Sequence, residues 1–287
     1  MLTNIEALIA LSQHGTMSAA AVALRVSQSA ISKRIGMLEN QLGKKLIMKE
    51  GRNVALSEQG EQFVQQASPL IAELKTLLVQ QSSGHTEKIT IGASEAILSS
   101  WGSTMLANIQ QQMTQAEFEI HAHRTPTVIE KIQSGQYMVG ICAGRISAKT
   151  ELVVEALFDE PMYLVPSQLD FELLNKQRQT DLDLPVITIE ERSNSWQSLK
   201  SQAQSLRLKP VRMVESSFAA AQLAIAGFGH ALVPQGVARA LKVDEQSINL
   251  GENGLTRPCS LVSRKSIYNR EIIRSFYQHV FQGLPKI

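Results

Sequence analysis

The chain of 287 residues is poor in several features, and each scarcity removes a class of protein. Two cysteines are too few for a disulfide framework. A small secreted scaffold is therefore excluded, and reduced thiols in a cytoplasmic setting are expected. No run approaches the roughly 18 apolar residues of a membrane span, so no membrane partner is expected. The opening MLTNIEALIALSQHG has no basic n-region and no small-residue cleavage site, so it does not read as a signal peptide. No Ser-His-Asp elbow, phosphate loop or paired-carboxylate motif is present, which argues against an enzyme and against a cofactor. Hydrophobic content of 44% and charged content of 19% exclude disordered and fibrous classes. The length allows two or more domains, at about 100–200 residues each.

What is there is uneven charge. Residues 1–57 carry seven Lys/Arg (Arg25, Lys33, Arg34, Lys44, Lys45, Lys49, Arg52) against Glu6, Glu39 and Glu50, a net +4. Residues 58–82 carry a net −2, and the remainder balances. A basic segment on a neutral body is the electrostatic footprint of a nucleic-acid-binding module.

Apolar spacing at Ile5, Leu8 and Ile9 predicts a helix over 2–13, ended by His14-Gly15. Ser18 can cap a second, alanine-rich helix whose small side chains allow close helix packing. Ser27 can cap a third helix, in which Ile31, Ile35, Leu38 and Leu42 form one apolar stripe. The opposite face then presents Ser29, Ser32 and Lys33, with Gln28 and Arg34 on its flanks. Gln pairs bidentately with adenine and Arg with guanine, so Gln28 and Arg34 are the candidates for reading bases. Ser29, Ser32 and Lys33 suit phosphate contacts, and Ser18 is a further DNA-binding candidate. Gly43 closes the helix, and two β-prone pieces around Glu50-Gly51 predict a hairpin with Lys49 and Arg52 at its tip. Arg52 is placed for the minor groove. Ser57 caps the next helix, with Glu58 and Glu61 in its first turn.

That helix is predicted over 58–82. Phe63, Ala67, Leu70, Leu74 and Leu77 follow a 4-3-4-3 spacing, a heptad seam for a coiled coil between two copies, with packing on its own domain as the alternative. Pro69 interrupts its hydrogen bonding. The polar stretch 80–85 reads as a hinge.

From residue 87, strands and helices alternate in an α/β pattern. Ligands of open α/β sheets sit at the carboxyl ends of strands, beside helix N-termini. Ser94, then Thr125 and Thr127, then Ser193, Asn194 and Ser195, then Ser216 and Ser217 occupy such places. They would suit a carboxylate or another small anion, or serve as plain N-caps. His121 and His123 share one face of a strand, but no third ligand stands at metal spacing, so no metal is expected. Cys142 lies in an apolar strand and Cys259 follows a Pro before another strand, so both read as buried, inert thiols; Arg257 near Cys259 leaves a thiol switch as an alternative.

The run A-A-x-x-L-x-V-S-Q-S-A-I-S-K-x-I-x-x-L-E-x-x-L-G-x-x-L from Ala20 to Leu46, followed by G-R-x-V-x-L-S-E-Q-G from Gly51 to Gly60, resembles the N-terminal winged helix-turn-helix of LysR-type transcriptional regulators. Gly135–Ile141 and Gln222–Pro234 are similar to later segments of that family. The resemblance implies an α+β multi-domain chain. It has a winged helix-turn-helix over 1–57 and a dimerising linker helix and hinge over 58–85. A two-lobed, periplasmic-binding-protein-like α/β effector domain follows over 86–287. Lobe one is expected at about 86–161 and 265–287 and lobe two at about 162–264, with crossings near 162–165 and 259–264. It further implies double-stranded promoter DNA and RNA polymerase as partners, a small-molecule effector between the lobes, and a homodimer that pairs into a dimer of dimers.

Overall fold

The computed structural model describes residues 1–50, 53–80, 86–147, 150–179 and 182–285. The chain divides into two units, residues 1–85 with 133–136, and residues 86–132 with 137–287.

In the first unit, α1 (Leu2–His14) ends on Gly15 in the left-handed conformation. α2 (Met17–Ala23) is capped by Thr16, whose hydroxyl accepts from Ala19 N–H at 3.1 Å. The cap is therefore not Ser18, which lies one residue inside the helix and is exposed. Thr16 wins because it is the residue in extended conformation just before the first turn. α3 (Gln28–Leu42) is capped by Ser27, which accepts from Ala30 N–H at 3.2 Å, and closed by left-handed Gly43. Ile31, Ile35 and Leu38 are fully buried against Leu8, Leu11 and Ala20.

The wing is β1 (Ile47–Glu50) paired antiparallel with β2 (Asn53–Leu56). Ser57 then caps α4 (Glu58–Gln80) by accepting from Gly60 N–H at 3.0 Å. Gly60 is required by proximity: a Cβ there would lie 2.0 Å from the Leu46 carbonyl oxygen. The heptad seam of α4 is not one free stripe. Ala67 is buried in this unit's own core together with Val64, and Phe63 and Ile71 pack on it. Leu70 is 64% exposed and remains open. The side chain of Leu77 lies outside the described residues, and Leu74 is partly buried.

The second unit is built on one continuous sheet with strand order β4-β3-β5-β11-β6-β9-β7-β8. Its first half contains β3 (Glu87–Ser94), α5 (Glu95–Ile97), α6 (Ser103–Gln112), β4 (Ala116–His123), α7 (Thr125–Gln133) and β5 (Val139–Ala143). Between α5 and α6 the chain makes a π-helical turn at Leu98–Gly102, where Ser100 takes φ −120° and ψ −107°. The Ser100 hydroxyl donates to the Ala96 carbonyl at 2.6 Å and competes with the helical ladder. β6 (Leu152–Val165) leads into the second half: α8 (Phe171–Arg178), β7 (Leu184–Ile189), α9 (Asn194–Ser205), β8 (Leu208–Val214), α10 (Ser217–Ile225), β9 (His230–Pro234) and α11 (Gln235–Ala240). β10 (Ile248–Asn249) adds to β6. β11 (Thr256–Arg264), α12 (Lys265–Tyr268) and α13 (Glu271–Gln282) return the chain to the first half.

The lobes meet where partners change. β6 pairs with β11 as far as Pro161 and with β9 from Met162. The second crossing lies before the expected 259–264, because Cys259–Ser263 are already paired with β5 of lobe one. Thr256 sits opposite Pro161, so the two crossing strands change lobes at the same level. Separate apolar cores form on each side. Ile91, Leu106, Ile141 and Phe276 belong to one lobe, and Leu164, Val186, Trp196 and Leu232 to the other.

Candidate functional site

Two sites emerge, one in each unit. On α3, the buried stripe turns the opposite face to solvent. Gln28, Ser29, Ser32 and Lys33 are exposed there and Arg34 is half-buried. The Ser18 hydroxyl donates to Gln28 Oε1 at 3.3 Å, and Ser27 and Ser29 hydroxyls lie 2.9 Å apart. Gln28 is thus steadied from α2 while its amide N–H groups stay available. Lys49 is exposed on β1, and Arg52 lies outside the described residues. One residue that sequence reasoning passed over organises this module. Glu39, buried on α3, accepts from the N–H of Leu46 at 2.8 Å and of Ile47 at 3.3 Å, and from Lys45 at 3.0 Å. It ties the wing to α3. Burial opposes its charge, but these donors outweigh burial and hold its carboxyl below the ordinary carboxylate range.

In the second unit, the carboxyl ends of β3, β4, β5, β7 and β8 face a cleft between the lobes with a volume of about 410 Å³. A cavity of this size suits a small organic ligand. Ser94, Thr125, Thr127, Ser193, Asn194, Ser195 and Ser217 all line it. Ser216 does not; its hydroxyl caps α10 at Ala219 N–H, 3.4 Å away. Others of the group are also spent on architecture. Thr125 exchanges hydrogen bonds with both backbone groups of Ala143, Ser193 caps α9 at Trp196 N–H, and Asn194 donates to the Arg145 carbonyl. The hydroxyls of Ser94, Thr127, Ser195 and Ser217 bond to no described residue, and Ser94, Ser195 and Ser217 belong to nearly buried residues. Gly144 holds the cleft wall close: it has φ +87°, and a Cβ would lie 2.2 Å from the Asn194 backbone.

Charged groups complete the lining, and the sequence reading singled out none of them for the site. Arg124 of lobe one reaches Glu190 of lobe two at 2.6 Å and Glu215 at 3.8 Å. Glu95, Arg192 and Arg257 also line the cleft. The signal was adjacency, since Glu95 follows Ser94, Arg124 precedes Thr125, and Glu190 and Glu215 directly follow the ends of β7 and β8. Arg257 is paired across the strands with Glu160 at 2.7 Å, with both side chains 2% exposed. Glu160 also accepts from Gly236 N–H at 2.9 Å.

The cysteines cannot meet. Cys142 is paired with Ser260, the neighbour of Cys259, so the two thiols lie on opposite faces of the sheet. Burial pushes the Cys142 thiol up. Burial and then Glu160 push up that of Cys259. His121 and His123 stack on Tyr137, with centroids 5.0 and 6.0 Å away, and His121 contacts Glu119 at 3.1 Å.

A helix-turn-helix with a wing, followed by a two-lobed α/β body with a cleft between its lobes, is the architecture of a DNA-binding regulator with an effector-binding domain. The family models agree. Residues 2–61 match the bacterial regulatory helix-turn-helix protein, lysR family, and residues 82–285 match the LysR substrate binding domain. The chain belongs to the LysR family of transcriptional regulators, which are not enzymes. It is 34% identical to an uncharacterized HTH-type transcriptional regulator of Vibrio cholerae over 100% of this chain and 97% of that one. A hydrogen peroxide-inducible genes activator of Dickeya chrysanthemi is 30% identical over 63% of this chain and 60% of its own. Among solved structures, full-length CbnR with its target DNA has a TM-score of 0.68 at 19% identity, covering 99% of this chain and 100% of that one. Among the described residues, no helix is long and apolar enough to cross a membrane.

Proposed function

We propose that this regulator is controlled by a small molecule bound in the cleft between the lobes. The observation that carries the reading is the set of four unpartnered hydroxyls, Ser94, Thr127, Ser195 and Ser217, around a cavity at the strand ends. Binding shifts an existing equilibrium between conformations by its differential affinity for them. On promoter DNA, Gln28 and Arg34 read base edges. Ser18, Ser29, Ser32 and Lys33 contact the backbone, Lys49 follows it from the wing, and Arg52 enters the minor groove. Pairing of α4 through Leu70 and Leu74 makes the homodimer, two dimers join on the promoter, and RNA polymerase is the partner whose access changes.

Thermal unfolding of the full chain against small organic acids, amino acids and inorganic anions tests the cleft. A ligand at about 100 times its Kd adds roughly 2.7 kcal/mol. Thr127→Trp, which fills the cavity, is expected to remove that gain. A gain that survives this substitution would place the ligand elsewhere.

A thiol-switched regulator is the second reading, favoured by the similarity to a hydrogen peroxide-inducible activator. A Cys142–Cys259 disulfide is opposed by their placement on opposite sheet faces. Cys142→Ser and Cys259→Ser proteins are expected to regulate normally; loss of a peroxide response in either would revive the switch.

A further inference from the structure

The cleft carries more negative charge than an anion site needs. Glu95, Glu190 and Glu215 line it against Arg124 and Arg192, while the third arginine, Arg257, is already neutralised by Glu160. The two features best suited to an anion are met by the protein's own acids. Arg124 is held by Glu190 at 2.6 Å. The start of α10, where free N–H groups attract negative charge, is met by Glu95, whose Oε1 accepts from the Ser216 hydroxyl at 3.3 Å. Both contacts run from one lobe to the other.

Glu95 is half-buried and, among the described residues, has no cationic partner. A partly desolvated carboxylate gains from a countercharge, and an entering anion would add repulsion instead. An uncharged ligand would leave Glu95 as it is. The unpartnered hydroxyls of Ser195 and Ser217, both on nearly buried residues lining the same cavity, can donate to an acceptor oxygen.

We propose that the cleft takes a small zwitterion, an amino acid or close derivative. Its cationic group pairs with Glu95, and its carboxylate lies on Ser195 and Ser217 and competes with Glu190 for Arg124. This rests on the cleft being the ligand site, as proposed above. It sharpens the expectation of a plain anion into a ligand that answers both signs of charge.

The test uses the full chain, by calorimetry and thermal unfolding. The probes are the twenty common L-amino acids and, for each binder, the matched acid without the amine and the matched amine without the carboxylate. At least one amino acid is expected to bind, with each truncated compound weaker by about tenfold or more. Glu95→Gln is expected to weaken the amino acid about tenfold or more while leaving the matched acid as tight or tighter, a selective change that misfolding does not produce. The proposal is overturned if no amino acid binds, if the plain acid binds as tightly as the amino acid, or if Glu95→Gln changes nothing. Thr127→Trp separates it from the reading beneath it. Plain acids that bind as tightly as the amino acids and are lost in Thr127→Trp leave the cleft standing and remove only the zwitterion. An amino acid that still binds Thr127→Trp removes the cleft itself.

Discussion

The polar face of α3 and the lining of the interlobe cleft are both rich in short polar side chains, but they use them differently. On α3, Gln28, Ser29, Ser32 and Lys33 point to solvent, and the helix is held by the stripe on its other side. Of the residues expected at the cleft, Thr125, Ser193 and Asn194 line it but spend their polar atoms on caps and backbone ties, and Ser216 lies outside it and caps α10. Only half of the expected set is left for a ligand, and charges from several strand ends dominate the rest. A helix face can be read from its period alone, whereas a cleft is the product of loops that are distant in sequence.

The sharpest way to probe this contrast is the ion pair beneath the cleft. Glu160→Gln leaves Arg257 buried and uncompensated, and a loss of about 3–5 kcal/mol is expected in chemical denaturation of the full chain. Replacing both residues together, by Glu160→Leu with Arg257→Met, is expected to cost much less. Equal losses would show that packing, not charge, holds the crossing strands. In the DNA-binding module, Gly60→Ala drives a Cβ into the Leu46 carbonyl, so a loss of about 1–3 kcal/mol is expected. Operator affinity should fall with it, because the displaced segment begins the wing. Unchanged melting would mean that Leu46 moves aside freely.

Smaller effects separate reading from positioning. Gln28→Ala is expected to lose about 1–3 kcal/mol of operator binding, concentrated at one base pair. Lys33→Ala is expected to weaken all sequences alike and to flatten the salt dependence by about one unit of slope. Identical behaviour of the two variants across an operator library would refute the division of roles.

The smallest effect is on pH dependence. His230 Nδ1 accepts from Ser167 N–H at 3.0 Å, and Nε2 meets Gln177 Oε1 at 2.7 Å, so the neutral ring is the form that fits. Burial lowers its pKa, partly offset by Asp170. The unfolded chain therefore takes up the proton first. Stability is complete above about pH 6.5, the ordinary histidine value, and declines as pH falls below it toward the folded pKa. Melting followed from pH 7.5 to 5 is expected to show this slope and to lose part of it in His230→Gln. An unaltered slope would assign the acid sensitivity to other groups.

Much of the N-terminal module was legible because its signals are local. The caps at Ser27 and Ser57, the stripe Ile31-Ile35-Leu38 and the Gly43 stop all lie within a few residues of what they specify. The misplaced cap at Ser18 shows the limit, since Thr16 and Ser18 both fit the composition and only backbone conformation chooses. Glu39 was invisible for another reason: on a helical wheel it is one more acid, and its partners lie seven and eight residues ahead on another element. In α4 the 4-3-4-3 spacing marks an apolar stripe but cannot tell an own-domain core from a partner, and Ala67 went to the core.

The sequence by itself determined the helices and wing of the basic first module, the alternation of strands and helices after it, and the family, because periodicity, capping and charge act over short stretches of chain. Only the tertiary structure decided which hydroxyls stay free and that Arg124 meets Glu190. It alone buried Arg257 with Glu160 and put the two cysteines on opposite faces. Those outcomes depend on strand register and on the crossing of β6 and β11, which bring together residues up to about a hundred positions apart.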